Sequence, residues 1–133
     1  MVPPAQLPAY LTGLQDILDH AEIESVMFGH AGDANVHVNP LIDVTRAGWR
    51  DQVRCVLEEA VDLVAGLGGT LTGEHGDGRL RAPYLERIWG EEWAGVFRDT
   101  KKCLDPDGVL NPGVVVPLPG QDPLEGLTAD RIR

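Results

Sequence analysis

The chain has 133 residues, the length of one ordinary domain and enough for a single hydrophobic core. Eleven Lys and Arg stand against 21 Asp and Glu, and the resulting net charge of -10 argues against nucleic acid or an anionic membrane surface as a partner. The sequence has no basic leader, no long apolar run and only 2 cysteines, which favours a cytoplasmic protein without a disulfide framework.

The first forty residues predict a helix followed by two strands. Apolar residues recur at helical spacing over residues 4–20, which indicates an amphipathic helix. Residues 23–28 are largely apolar and predict a strand that ends at a run of small residues. Over residues 35–39 polar and β-branched residues alternate strictly, so a strand there turns its polar side chains to one face. Those side chains are Asn35, His37 and Asn39.

A long helix and a glycine-rich segment follow. Residues 46–66 carry a single apolar stripe, with Thr45 as the expected N-cap and a glycine as the stop. Five glycines crowd residues 68–78, which indicates tight turns or a backbone pressed close to another group. Residues 70–72, between these glycines, resemble a brief strand.

The last third of the chain predicts two helices, a short apolar stretch and a tail. Pro83 opens a short helix through Trp89, and apolar residues mark another over residues 93–104. Residues 109–116 are strand-like around an Asn-Pro-Gly turn. Residues 118–133 lack periodicity and predict an extended tail or a linker. The expected fold class is α+β, with an antiparallel sheet covered by helices.

Two short, glycine-flanked stretches hold the residues that carry chemistry. His30 and His37 flank a turn of small residues, so neighbouring strands can present both imidazoles to one point. Spacing alone leaves a metal site and a pair of hydrogen-bonded structural histidines as equal alternatives. Glu74 adds a carboxylate, and two imidazoles with one carboxylate leave coordination positions open for a substrate. His75 is the candidate base beside the metal, and Asn39 can donate to a substrate carboxylate.

Three stretches together resemble the C-terminal cap region of FAD-linked oxidases in the vanillyl-alcohol-oxidase superfamily. They are GHAGDANVHVNP, GGTLTGEHGDGRLR and LDPDGVLNPG, and they occur in the family's order. The branch they resemble most contains D-lactate dehydrogenase, the glycolate oxidase FAD subunit and D-2-hydroxyglutarate dehydrogenase. In one departure, Ala34 replaces the second glycine of a Gly-Asp-Gly-Asn motif. Alanine is expected to be tolerated there unless the position needs a positive φ.

The resemblance implies that residues 1–117 form the second half of such a cap domain, a ferredoxin-like half. It also implies a role for each residue of the site. These roles are divalent-metal ligands for His30, His37 and Glu74, active-site base for His75, substrate contact for Asn39 and FAD-side contact for Asn111. Such a ligand set suits zinc, manganese, iron or cobalt, and zinc or manganese is the metal most expected.

The implied function is oxidation of a D-2-hydroxy acid to the 2-oxo acid, with hydride transfer to FAD. The substrate would be of the D-lactate, glycolate or D-2-hydroxyglutarate type, and a quinone, a cytochrome or an electron-transfer protein would accept the electrons. The family holds FAD mainly in an N-terminal domain without a counterpart in these 133 residues. We therefore expect the isolated chain to be inactive, and to be a fragment, a truncated gene product or one piece of a split enzyme.

Several interpretations stay open on sequence alone. One rival is a metal-dependent hydrolase built on the same two histidines and one glutamate. Another is a non-catalytic folded fragment that acts as an interaction module. A homo-oligomer, and a peripheral association with the membrane through the full-length enzyme, are compatible with the sequence as well.

Overall fold

A two-stranded antiparallel sheet and three α-helices form the framework of the computed structural model, which describes residues 1–127. The elements in chain order are α1 (Leu7–His20), β1 (Ser25–His30), β2 (Asn35–Pro40), α2 (Trp49–Gly66) and α3 (Leu85–Leu104). Single turns of 3₁₀-helix precede α1, join the two strands and precede α3. The predicted α+β class is confirmed.

The core lies between α1, α2 and the inner face of the sheet. Tyr10 and Leu14 of α1 pack with Val64 of α2 in one buried cluster. The two helices approach closely at Gly13, where a Cβ atom would lie 2.8 Å from a methyl group of Leu63. The helical periodicity of residues 4–20 therefore predicted the helix and the burial of Leu14 and Leu18, whereas Leu11 is exposed and Tyr10 lies in the core.

The strand pair presents two different faces, as its alternating sequence predicts. Val36 and Val38 of β2 pack against the buried cluster with Met27 of β1. The opposite face carries the polar residues of β2, and the register there pairs Phe28 with His37. It also pairs His30 with Asn35 and Val26 with Asn39. One face of this hairpin thus packs against the core, and the other carries the polar side chains that can form a site.

The turn between the strands depends on an alanine in the left-handed conformation. Ala34 has φ 49° and ψ 36°, is fully buried, and accepts a hydrogen bond of 3.2 Å from the N–H of Val2. Alanine was expected to be tolerated here unless the position needs a positive φ, and the structure shows that it does. Left-handed backbone costs an L-residue about 1–2 kcal/mol, and here the buried methyl group offsets part of that cost.

Substitutions at position 34 should separate the backbone conformation from the packing. We expect Ala34→Val to lower the free energy of unfolding by about 2–3 kcal/mol, since a β-branched side chain resists positive φ and overfills a closed site. Ala34→Gly should change it by less than about 1 kcal/mol, because relief of strain offsets the lost methyl group and the freer unfolded chain. Urea denaturation of both variants checks this pair, and equal losses would contradict the backbone argument.

The predicted cap of α2 is wrong. α2 begins at Trp49 and its N-cap is Gly48, which has φ 82°. The hydroxyl group of Thr45 instead donates a 2.6 Å hydrogen bond to Asp43, whose carboxylate also accepts from the backbone N–H of Thr45. This local turn uses the Thr45 hydroxyl group before the helix starts, and the left-handed Gly48 occupies the N-cap position in its place.

Two short apolar stretches that resembled strands form turns in the structure. In residues 70–72, Thr70 pairs through two backbone hydrogen bonds with Met1, at 2.8 and 3.0 Å, and the pairing goes no further. Residues 109–116 contain left-handed backbone at Asn111 and Val115. A strand needs a partner along its length, and neither stretch has one among residues 1–127.

The helical prediction for the last third is confirmed, including its interruption. Pro83 lies in the 3₁₀ turn before α3, and the two predicted helices form one element broken at Gly90, where φ is 75° and ψ is 165°. Asp105 ends the helix. Its buried carboxylate accepts hydrogen bonds from Lys101 and from the backbone N–H groups of Val109 and Leu110.

The Asp105 turn should make stability depend on pH. The hydrogen bond from Lys101, with the two backbone N–H donors, holds the pKa of the Asp105 carboxyl below its usual value. This stabilisation is present above the unfolded-state pKa of about 3.9 and is lost as the pH falls through the lower folded-state pKa. We expect Asp105→Asn to lower the urea midpoint at neutral pH, with the gap to the unaltered chain closing on acidification. The exposed Asp107→Asn change is the control, and a gap that is constant with pH would contradict the prediction.

Residues 118–127, the described part of the predicted tail, contain neither helix nor strand and lie against α2. Leu124 is 1% exposed, Asp122 forms a 2.9 Å ion pair with Arg54, and Arg50 donates to the Leu124 carbonyl oxygen. The rest of the predicted tail lies outside the described residues. None of the helices described between residues 1 and 127 combines the length and apolar character needed to cross a bilayer.

Candidate metal centre

The outer face of the hairpin brings two imidazoles together. His30 is the last residue of β1 and His37 lies in β2, and the register places them on diagonal positions of one face. Their ring centroids are 6.1 Å apart. Phe28, directly opposite His37, stacks on its ring at 5.1 Å and 22°, which restricts the imidazole plane.

The glycine-rich loop delivers a carboxylate to the same point. Glu74 Oε1 lies 3.1 Å from Nε2 of His30, and Glu74 Oε2 lies 3.7 Å from Nε2 of His37. The loop is held locally by Arg81, which donates a 3.0 Å hydrogen bond to the Gly76 carbonyl oxygen. Two residues of one hairpin and a third from a loop about forty positions later therefore converge on one patch of surface.

The chemistry and the spacing of these donors fit a divalent metal. One ligand atom from each of His30, His37 and Glu74 lies within 4.8 Å of the other two. Metal–ligand distances of about 2.0–2.2 Å require a slightly tighter group, which a small side-chain rotation supplies. The side chains of His30 and Glu74 are 62% and 41% exposed, so they have room to make that adjustment. That they hold a metal stays a prediction.

His75 lies beside these donors and is more exposed than any of them. Its ring centroid is 5.4 Å from that of His37, and its Nε2 atom is 3.7 Å from Glu74 Oε2. The side chain is 70% exposed. An imidazole so placed can exchange a proton with solvent and with a molecule bound at the cluster, which is the geometry that a general base needs.

Asn35 is a member of the site to which sequence reasoning assigned no role. Its Nδ2 atom donates a 2.6 Å hydrogen bond to Glu74 Oε1, although the two residues are 39 positions apart. The residue is only 8% exposed. Strand alternation placed Asn35 on the face of His37, but only the folded position of the loop reveals its acceptor.

Two glycines allow the chain to close around Asn35. A Cβ atom on Gly73 would lie 2.9 Å from Asn35 Oδ1, and one on Gly29 would lie 2.1 Å from the Asn35 carbonyl oxygen. The expectation that glycines of residues 68–78 permit close backbone approach is therefore met at Gly73, and Gly29 of β1 permits the same outside that segment.

Of the other two predicted contacts, Asn39 lies near the histidines and Asn111 lies in a separate turn. Asn39 is exposed on the same strand face as His37, two residues further along β2. Asn111 has φ 46°, and its carbonyl oxygen accepts from the N–H of Val114 within a turn. Within residues 1–127 no hydrogen bond or ion pair connects Asn111 to the histidines or to Glu74.

A cavity of about 630 Å³ extends from the cluster along β2 and α2. His37, Asn39, Glu74 and His75 line its polar part, and apolar side chains of α2 such as Leu57 line the remainder. A concave site with a few convergent polar groups and apolar walls is typical of a small-molecule site.

Comparison with known proteins relates this geometry to a family. The family model described as "FAD linked oxidases, C-terminal domain" matches residues 1–115. The chain is 36% identical to a D-lactate dehydrogenase of Archaeoglobus fulgidus, over 86% of this chain and 25% of that protein. It is 35% identical to glycolate oxidase subunit GlcD of Bacillus subtilis, over 84% of this chain and 24% of that protein.

A third relative is a D-2-hydroxyglutarate dehydrogenase of Escherichia coli. It is 36% identical over 91% of this chain and 12% of that protein. The chain thus spans a quarter or less of the length of these curated relatives.

Proposed function

The chain belongs to the family of FAD-linked oxidase C-terminal domains, and from that premise we propose that it supplies the metal-binding and proton-accepting side of a 2-hydroxy-acid dehydrogenase. The substrate would be a D-2-hydroxy acid of the D-lactate, glycolate or D-2-hydroxyglutarate type, as the names of the relatives suggest. FAD, held elsewhere in the whole protein, would supply the hydride acceptor.

In this proposal His30, His37 and Glu74 hold a divalent ion. Such an ion, when bound, provides a Lewis acid for the hydroxyl and carboxylate oxygens of a 2-hydroxy acid. Phe28 keeps the His37 ring in plane by stacking on it. The open side of the cluster faces solvent, since all three ligand side chains retain exposure, so a small acid can reach it.

His75 accepts the hydroxyl proton at an imidazole nitrogen in this proposal. Its position beside Glu74, with 70% of the side chain exposed, lets it pass that proton on to water. The Asn39 amide donates a hydrogen bond to the substrate carboxylate from the same strand face. The observation that carries the proposal is the convergence of three metal-type donors on one point with a fourth ionisable group, His75, beside them.

The test is metal-dependent binding of a 2-hydroxy acid to the 133-residue chain. With Mn²⁺ present, isothermal titration should detect binding of D-lactate, glycolate or D-2-hydroxyglutarate, and a chelator should abolish it. Propionate is the matched control, because it keeps the carboxylate of lactate and lacks the hydroxyl group. Equal binding of propionate, or binding that is indifferent to the chelator, would overturn the proposal. Metal-dependent hydrolysis of a chromogenic ester would favour the hydrolase instead.

A further inference from the structure

We propose that Asn35 is a positioning residue that orients the Glu74 carboxylate for the metal. By donating to Oε1, it fixes the plane of the carboxylate and leaves Oε2 directed at His37 and His75. This inference rests on the proposed function, because it assigns a role within the same metal centre. The inference concerns Asn35, which does not itself bind the metal, whereas the proposed function concerns the metal ligands.

The first support is that the other groups beside Glu74 are imidazoles, two of which are the proposed metal ligands His30 and His37. In the part of the chain that the structure describes, the hydrogen bond donated to the Glu74 side chain comes from Asn35, at 2.6 Å. Glu74 is 41% exposed and lies in a loop. An unrestrained glutamate of this kind loses rotamer entropy when it binds an ion, and a fixed donor removes part of that cost beforehand.

The second support is that Asn35 is itself buried and closely packed. It is 8% exposed, it pairs with His30 in the sheet register, and its side chain lies against Gly73. The side-chain oxygen, Oδ1, lies 2.9 Å from the point that a Cβ atom on Gly73 would occupy, and the amide nitrogen faces Glu74. The reverse orientation would set two acceptor oxygens against each other.

The third support is the choice of side chain. Asparagine offers a neutral donor, so it orients the carboxylate without cancelling the negative charge that attracts a cation. A lysine or an arginine in the same place would neutralise Glu74 and compete with the ion. An aspartate would have the right shape and no donor, and it would repel Glu74.

The experiment compares Mn²⁺ affinity between the unaltered chain and two variants that remove the donor without adding a charge, Asn35→Leu and Asn35→Ala. We expect both variants to bind Mn²⁺ about 10- to 100-fold more weakly, the effect typical of a lost outer partner. The matched control is Gln15→Leu, which removes another amide-to-carboxylate hydrogen bond, the 2.8 Å contact to Asp19 on α1. That variant should bind Mn²⁺ like the unaltered chain. Electron paramagnetic resonance of free Mn²⁺ reports the affinity directly.

The outcomes separate the role of Asn35 from the existence of the metal centre. Folded Asn35 variants with unchanged Mn²⁺ affinity would overturn the role of Asn35 and leave the metal centre standing. Failure of the unaltered chain to bind Mn²⁺ would overturn the metal centre itself, and the role of Asn35 with it. Circular dichroism identifies variants that do not fold.

If both variants fail to fold, NMR of the Asn35 side-chain amide in the unaltered chain and in Glu74→Gln decides the question. We expect the amide resonances of Asn35 to shift when Glu74 loses its charge, because the 2.6 Å hydrogen bond is charge-assisted. They should also shift when a diamagnetic ion such as Zn²⁺ is added to the unaltered chain. Unchanged resonances in both comparisons would overturn the proposal.

Discussion

Replacing Glu74 by glutamine should lower the affinity of the chain for Mn²⁺ or Zn²⁺ by more than the roughly 10- to 100-fold typical of a lost outer partner, and leave its thermal unfolding nearly unchanged. Glutamine has almost the shape of glutamate, and its oxygen can still accept the hydrogen bond from Asn35. The substitution therefore removes the negative charge and keeps the contacts. Because the side chain is 41% exposed, no buried packing is lost. Chelator-competition titrations measure the change in affinity.

The matched control for this prediction is Glu91→Gln, which removes one negative charge from an exposed position on α3. The net charge of -10 attracts cations to the whole surface, so a general effect of charge would appear in both variants. A specific ligand role appears only at Glu74. Equal losses of affinity in the two variants would contradict a specific ligand role for Glu74 and indicate general attraction of cations to an acidic surface.

The local parts of the site were predictable from sequence because their patterns are local. Strict alternation over residues 35–39 fixes which side chains share a face, whatever the rest of the fold does. The turn of small residues after His30 then fixes the hairpin register, which sets His30 and His37 diagonally across one face. The approach of Glu74 is a tertiary event between segments about forty positions apart. Its expectation came from the chemistry of the ligand set and from the family resemblance.

The parts that sequence reasoning missed depend on partners that no local pattern specifies. Thr45 has the chemistry of a cap, but Asp43 takes its hydroxyl group first. Residues 70–72 have strand-forming side chains, but within residues 1–127 their one pairing partner is Met1, which bonds Thr70. Ala34 has a positive φ because it closes the turn between the strands at a left-handed position, which glycine more often fills. A competing contact decided the first case, a missing partner the second and the closure of a turn the third.

Gly29→Ala should lower the free energy of unfolding by more than about 3 kcal/mol, a large part of the 5–15 kcal/mol that holds a typical domain together. A Cβ atom at this position would lie 2.1 Å from the Asn35 carbonyl oxygen and 2.9 Å from Val36 Cα. Both neighbours are backbone atoms of the paired strand, so no side chain can rotate away. The strands would have to separate, and their hydrogen bonds would be lost with the contact.

The control for that loss is Gly32→Ala, in the turn between the same two strands. A Cβ atom there meets nothing within 4 Å, and its backbone conformation does not require glycine. We expect Gly32→Ala to change the urea midpoint little and to leave Mn²⁺ binding intact, because it leaves the strand pair unchanged. Gly29→Ala should weaken Mn²⁺ binding as well as stability, since moving β1 from β2 moves His30 away from His37. A stable Gly29→Ala variant would contradict the close strand approach on which both Asn35 and the histidine pair depend.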